Sequence, residues 1–205
     1  MTKGEASAST KRRIVEAAIE AIKQKGSAGA TARTIAEIAG FNQALIYYHF
    51  GSLKGLLIAA LDETSDRRLA IYQGQVDGIR TLEDLARVGK ALHSQDMIEG
   101  HMTVLSELVS ACLTHPDLRP QIMARLEPWI DLAEGVVARL IADTFLASML
   151  PSREVAQALV AFYMGMEMLN HLDGDEKRAD RLFEMFSSFV PVLSPLLGHE
   201  TGARR

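Results

Sequence analysis

The chain has 205 residues, 48% of them hydrophobic and 23% charged, with a formal net charge of −4, which is enough for one large or two small domains with a real apolar core. A single cysteine, Cys112, excludes a disulfide framework, a Cys-based zinc site and an iron–sulfur cluster, and fits a reducing cytosol. The longest apolar run, Ala158 to Met166, is about half of the roughly 18 to 20 residues that a bilayer span needs, and no apolar stretch of secretory type follows the first basic residues; a cytoplasmic protein is expected.

The net charge hides an asymmetry. Residues 1–60 carry eight Lys/Arg against four Glu, a net +4, which leaves −8 for the remainder. A small basic module that approaches a polyanion, attached to an acidic body that does not, accounts for such a split.

Strand signals are nearly absent and helical spacing runs throughout, so the fold class expected is all-α. Ile14, Ala18, Ala21 and Ile22 share one face of a first helix, with Ser9/Thr10 as N-cap and Lys25-Gly26 as its stop. Thr31 caps a short second helix carrying Ile35, Ala36 and Ala39, which Gly40 closes. Asn42 caps a third, from Gln43 to about His49, and Ser52 a fourth that continues through Leu56, Leu57, Ala60 and Leu61. Thr81, Glu83 and Asp84 open a helix to about His93, and another spans Met97 to Leu113 until His115-Pro116 breaks it. A long helix from Asp117 to Asp143 contains Pro128, where a kink or split is expected. Two final helices, Arg153 to Leu172 and Glu176 to Leu197, precede a polar tail from His199 to Arg205.

The most informative stretch is TARTIAEIAGFNQALIYYHFGSLKGLL, Thr31 to Leu57. Two short helices joined by a Gly-containing turn, with small residues where they approach, meet the requirements of a helix-turn-helix. Its second helix must show polar and small side chains to a major groove about 12 Å wide while its other face holds the core. Leu45, Ile46 and Phe50 can serve that core; Gln43, Ala44, Tyr48 and His49 remain for the outside. Tyr47 and Tyr48 cannot both be core, because adjacent helical positions diverge.

On these residues the chain resembles the TetR family of transcriptional regulators: T-x-R-x-I-A-x-x-A-G, then I-Y-Y-H-F, then G-S and L-L. The resemblance implies an N-terminal three-helix DNA-binding domain, residues 1–55, and a larger helical domain for ligand binding and dimerisation, residues 56–205. It further implies that Thr31 caps near a phosphate, that Arg33 and Thr34 face DNA, that Gln43 and Ala44 meet bases, and that Tyr47, Tyr48 and His49 contact the duplex, Tyr47 and His49 at phosphates. The family's Lys after the helix-four Ser is Leu53 here; Lys54, one position later and turned about 100°, is the remaining candidate. Lys11, Arg12 and Arg13, at the expected start of the first helix, either form a solvated face or answer a nearby phosphate that offsets the helix dipole.

The acidic body ends in two helices that are apolar on more than one face, which calls for burial on both sides. A two-fold four-helix interface, with Gly165 allowing close approach, meets that need, so a homodimer through the last two helices is expected. The body is Met-rich, suited to an adaptable pocket for a small, mostly apolar effector. Expected pocket residues are His101, Met102, Glu107, Trp129, Phe162, Met166, Glu167 and Asn170, between helices around Met97 to Leu113, Trp129 and Phe162 to Asn170. The polar ones orient the ligand.

No catalytic constellation competes. Glu167 and His171 are four apart with no twin, whereas di-metal bundles use paired Glu-x-x-His motifs, and neither a nucleophile elbow nor a phosphate loop occurs. No cofactor and no metal are expected. The alternative is a helical adaptor that binds a protein partner without DNA, which leaves the polar Gln43 to His49 face unexplained. The partners expected are therefore double-stranded DNA, a small-molecule effector and a second copy of the chain.

Overall fold

The computed structural model describes the backbone of residues 3–99, 101–175 and 177–197, and their side chains except at 3, 27, 28, 95–99, 171, 173, 196 and 197. Met97 and the tail from His199 therefore lie outside the described side chains. All regular elements among the described residues are helical: α1 (Lys3–Gly29), α2 (Ala32–Ala39), α3 (Ala44–Phe50), α4 (Leu53–Val76), α5 (Leu82–Glu99), α6 (His101–Ala111), α7 (Arg119–Ile141), α8 (Ser152–Asp173) and α9 (Arg178–Leu193), with 3₁₀ turns at Pro116–Leu118, Phe145–Ser148 and Ser194–Leu197. The fold class is all-α.

Two compact units form, Met1–Arg68 with Asp96–Met123, and Leu69–Gln95 with Ala124–Arg205. Residues 1–55, expected as the DNA-binding segment, lie within the first, but so do the start of α4 and all of α6. In this unit the expected α1 face is buried, Ile14, Ala18, Ala21 and Ile22 being at most 4% exposed, and α1 packs on α2 and α6. Ile35 and Ala36 from α2, Ile46 from α3, Leu56 and Leu61 from α4, and Val104 and Leu108 from α6 are also buried. Each of the buried Ile, Leu and Val side chains contributes about 1.5 to 3 kcal/mol by leaving water. The second unit is built on Val76, Ile79, Leu82 and Val88, on Val136, Val137, Leu140 and Ile141 of α7, and on Val190 of α9.

The helix-turn-helix boundaries follow their local caps. Thr31 Oγ1 accepts from Thr34 N at 3.2 Å, Asn42 Oδ1 from Ala44 N at 2.8 Å, and Ser52 Oγ from Gly55 N at 3.0 Å. Gly40 ends α2 with φ 69°, a left-handed conformation that costs glycine nothing. Gln43 precedes α3 rather than opening it.

Three expectations are corrected. First, α1 starts at Lys3, not at Ser9/Thr10: the Thr10 hydroxyl donates to Ala6 O at 2.9 Å instead of capping. Lys11 to Arg13 thus sit beyond the first turn, where the dipole argument for them no longer applies. Second, α5 runs past His93 to Glu99, since no Gly or Pro stops it earlier than residue 99 after Gly89. Third, of the kink or split expected at Pro128, the split does not occur: α7 runs through the proline as one helix. Arg153 of α8 holds Glu127 on one side of the proline and Asp131 and Glu134 on the other, the latter two at 2.9 and 2.8 Å, so α8 braces the helix across the missing backbone donor.

Candidate nucleic-acid interface and buried polar groups

Gln43 and the seven residues of α3 divide sharply. Ile46 is 1% exposed and Leu45 and Phe50 are half-buried, so this side anchors the helix. Gln43, Ala44, Tyr47 and Tyr48 face solvent, the two tyrosines at 51% and 80% exposure. Two adjacent aromatic rings left that exposed contribute little to the core and are available to a partner. His49 is half-buried with its ring edge-on to Tyr48, at 4.9 Å between centroids, and near Phe50, so it also steadies the end of α3.

Beside α3, Thr31 and Arg33 are exposed and Thr34 is half-buried, with the Thr31 and Thr34 hydroxyls 3.0 Å apart. Arg33 pairs with Glu37 at 3.0 Å, their side chains 85% and 61% exposed. A pair this exposed is worth at most about 1 kcal/mol, so it does not withhold the guanidinium from an incoming anion. Lys54 is half-buried in the first turn of α4. Arg13 has an internal task that sequence reading missed: its guanidinium stacks over Phe41 at 4.4 Å and Nη2 donates to Ala39 O at 3.3 Å, tying α1 to the α2–α3 turn. Lys11 and Arg12 are exposed.

The eight expected pocket residues divide between the units. In the first, His101 and Met102 are buried, but Glu107 is exposed and is corrected to a surface residue. At about 100° per residue it lies some 60° around α6 from Val104 and 100° from Leu108, on the flank of the buried side where the helix meets solvent. His101 Nδ1 is 2.8 Å from Thr64 Oγ1, whose single proton lies within hydrogen-bond reach of Ala60 O and Leu61 O as well. Arg68, one turn further along α4, is 3% exposed. Burial, and secondarily the Arg68 charge, pulls the His101 pKa down to about 3. Thr64, Ser65 and Arg68 were not anticipated, although Leu61, Thr64, Arg68 and Tyr72 repeat at i, i+3, i+7 and i+11, one helical face.

That depressed pKa carries a sign. The folded state keeps His101 neutral, while the unfolded chain takes up a proton near pH 6.5, so stability is complete above 6.5 and falls as the pH drops toward 3. At pH 5 the loss is about 2 kcal/mol. Urea unfolding at pH 7.5 and 5.0 should show His101→Gln losing about that much less than the unaltered chain. Equal losses would assign the titration to another group.

In the second unit, Met166, Glu167 and Asn170 are buried, whereas Trp129 is half-buried, edge-on to Tyr72 at 5.4 Å. Glu167 Oε1 lies 2.7 Å from His93 Nδ1, both side chains at most 6% exposed, and Tyr163 and Phe183 flank the imidazole. The Asn170 Oδ1 accepts from Arg178 at 3.4 Å. His93 was missed; its signal was the spacing Leu82, Ala86, Gly89, His93 on one face of α5. Phe162 is corrected: at 58% exposure it lies on the outer side of α8.

The two sides of α8 are inverted relative to an ordinary surface helix. Tyr163, Glu167 and Asn170 point inward, while Ala158, Ala161, Phe162, Gly165, Met168, Leu169 and Leu172 are exposed. On α9, Met185, Phe189 and Val192 are likewise more than half exposed. Contiguous apolar surface of this kind marks an interaction face. No single helix among the described residues is long and apolar enough to cross a membrane.

Comparison with known proteins agrees with this geometry. The family model for bacterial regulatory proteins, tetR family, matches residues 14–60, which hold the helix-turn-helix. An uncharacterised HTH-type transcriptional regulator, YvkB of Bacillus subtilis (strain 168), is 33% identical over 95 residues, 44% of this chain and 49% of that protein, so the match spans about half the length of this relative. A TetR-family regulator from Cytophaga hutchinsonii superimposes with a TM-score of 0.73 at 17% identity, covering 91% of this chain and 96% of the other. The multidrug binding protein EbrR, solved with malachite green, gives a TM-score of 0.56 at 28% identity, covering 88% of this chain and 98% of that one. Residues 14–60 thus carry the DNA-binding module of the TetR family of bacterial regulators, and the described helices share the all-α fold of TetR-family structures. Members of this family are non-enzymatic DNA-binding regulators.

Proposed function

We propose that the protein is a cytoplasmic, ligand-responsive repressor that binds a palindromic operator as a homodimer and is released by a small, mostly apolar effector. Residues 1–55 read DNA; residues 56–205 bind the effector and dimerise. The observation that carries the reading is α3, which is anchored by Ile46 and leaves Gln43, Ala44, Tyr47 and Tyr48 to solvent. Thr31, Arg33, Thr34, His49 and Lys54 complete the contact surface. One such short helix reads only a few base pairs, so two copies related by symmetry are needed for a specific site. The exposed apolar faces of α8 and α9 support pairing there. The likeness to a multidrug binding protein supports a small-molecule effector. Of the expected pocket residues, Glu167 and Asn170, with His93, offer buried polar groups, Met166 a buried apolar one and Trp129 a half-buried ring; His101 and Met102 are buried in the other unit.

Gel-shift titration separates the two kinds of contact. Tyr47→Ala removes a phosphate hydrogen bond and should weaken all duplexes alike by about 1.5 kcal/mol, roughly tenfold. Gln43→Ala should instead relax base preference at one position of each half-site. An unchanged preferred sequence would show that Gln43 does not meet the bases. Affinity that does not fall with salt would contradict DNA binding through phosphates.

A further inference from the structure

Among the cations of the first unit, Arg13 is both fixed and exposed. Its guanidinium lies over the Phe41 ring at 4.4 Å and Nη2 donates to Ala39 O at 3.3 Å, yet the residue remains open to solvent. Ala39 ends α2, so the bond goes to one of the carbonyls that a helix terminus leaves unpaired, where positive charge is favourable. One stacked face and one bond leave further N–H donors in the plane of the guanidinium. Arg13 makes no ion pair among the described residues.

The clasp also has a place. It joins α1 to residues 39–41, and the next residues are Asn42, which caps α3, and Gln43 and Ala44, exposed at its start. Lys11 and Arg12 are exposed and likewise form no ion pair, whereas Arg33 and Arg67 each hold a glutamate one turn away. Glu16 is the carboxylate nearest in sequence on α1, and it pairs with neither arginine. Lys11 to Glu16 therefore carry three cations against one carboxylate, a local excess that attracts an anion. A guanidinium already ordered by Phe41 and Ala39 gives up less rotamer freedom when it binds one.

We propose that Arg13 is a DNA-contact residue: it holds a backbone phosphate of the operator beside the bases that Gln43 and Ala44 meet, while Phe41 and Ala39 fix its position relative to α3. The assignment rests on the regulator reading above and adds to it a contact from α1, outside the helix-turn-helix.

The probe is a short duplex selected by the full chain from a random-sequence pool. Each neutralised phosphate contributes about 0.9 to the slope of log affinity against log salt, so Arg13→Gln should lower the slope by about 1.8 for a dimer. At low salt its affinity should fall about 100-fold, about tenfold per protomer, and the gap should narrow as salt rises. A clasp that only supports the fold predicts a loss that is the same at every salt concentration. Arg13→Lys keeps the charge and should keep the slope. Neutral methylphosphonate linkages, placed one at a time along each half-site, locate the contact: one position should weaken the unaltered chain about tenfold and have no effect on Arg13→Gln. Thermal unfolding checks that the variants fold; where Arg13→Gln does not, Arg13→Met, whose thioether can still pack on Phe41, replaces it. The assignment alone is overturned by a slope that survives removal of the charge, by a loss that is constant with salt, by a slope that Arg13→Lys also loses, or by methylphosphonate effects that are equal in the unaltered and charge-removed chains. Failure of the unaltered chain to select any duplex overturns both the assignment and the regulator reading.

Discussion

Gly165→Arg is expected to leave a folded monomer with at least about 100-fold weaker operator binding. A Cβ at residue 165 meets nothing within 4 Å, so the substitution adds no strain inside one protomer. Its effect must come from whatever covers α8 from outside. If that is a second copy, a long charged side chain lands between two closely packed helices, where burying an unpaired charge costs several kcal/mol. Dissociation then removes the linkage of two half-site readers, and linked binding commonly exceeds either single affinity by about 10² to 10⁴. Sedimentation and gel shift on the same sample check both parts. A persisting dimer moves the interface away from the Phe162, Gly165 and Leu169 face.

The second large effect is expected at the His93–Glu167 pair. His93→Leu removes the imidazole 2.7 Å from the side chain of Glu167, a residue 2% exposed, and breaking a buried pair by removing one member costs about 3 kcal/mol. Glu167→Leu should cost a comparable amount by leaving the imidazole Nδ1 without that oxygen. The double variant, His93→Leu with Glu167→Leu, replaces both by apolar groups and should lose clearly less than the sum of the singles. Urea unfolding of the four proteins closes the cycle. Additive losses would mean that the two side chains are not coupled.

This pair also illustrates a limit of reading residues in order. Glu167 was identifiable as a polar residue on an apolar helix, but its partner is 74 positions earlier on a different helix, where His93 looked like the end of α5. Glu107 had the same local appearance as Glu167, a lone acid among apolar neighbours, and it is exposed. Phe162 looked like pocket lining and lies on the outer face. For Glu107 and Phe162 the residue's own helix is correctly anticipated and its side is not, because which face of an all-round apolar helix turns inward depends on what packs against it.

By itself, the sequence determined the all-α class, the order of the helices among the described residues, and the helix-turn-helix. Those features rest on interactions between residues two to four positions apart: the Thr31, Asn42 and Ser52 caps, the left-handed Gly40, and the spacing that buries Ile35 and Ile46. Only the tertiary structure decided that Arg13 clasps Phe41, that α8 turns its polar stripe inward, that Pro128 is braced by Arg153, and that His93 meets Glu167. These arrangements join residues far apart in the chain, and their energies depend on burial and partner geometry, quantities that have no value until the helices have packed.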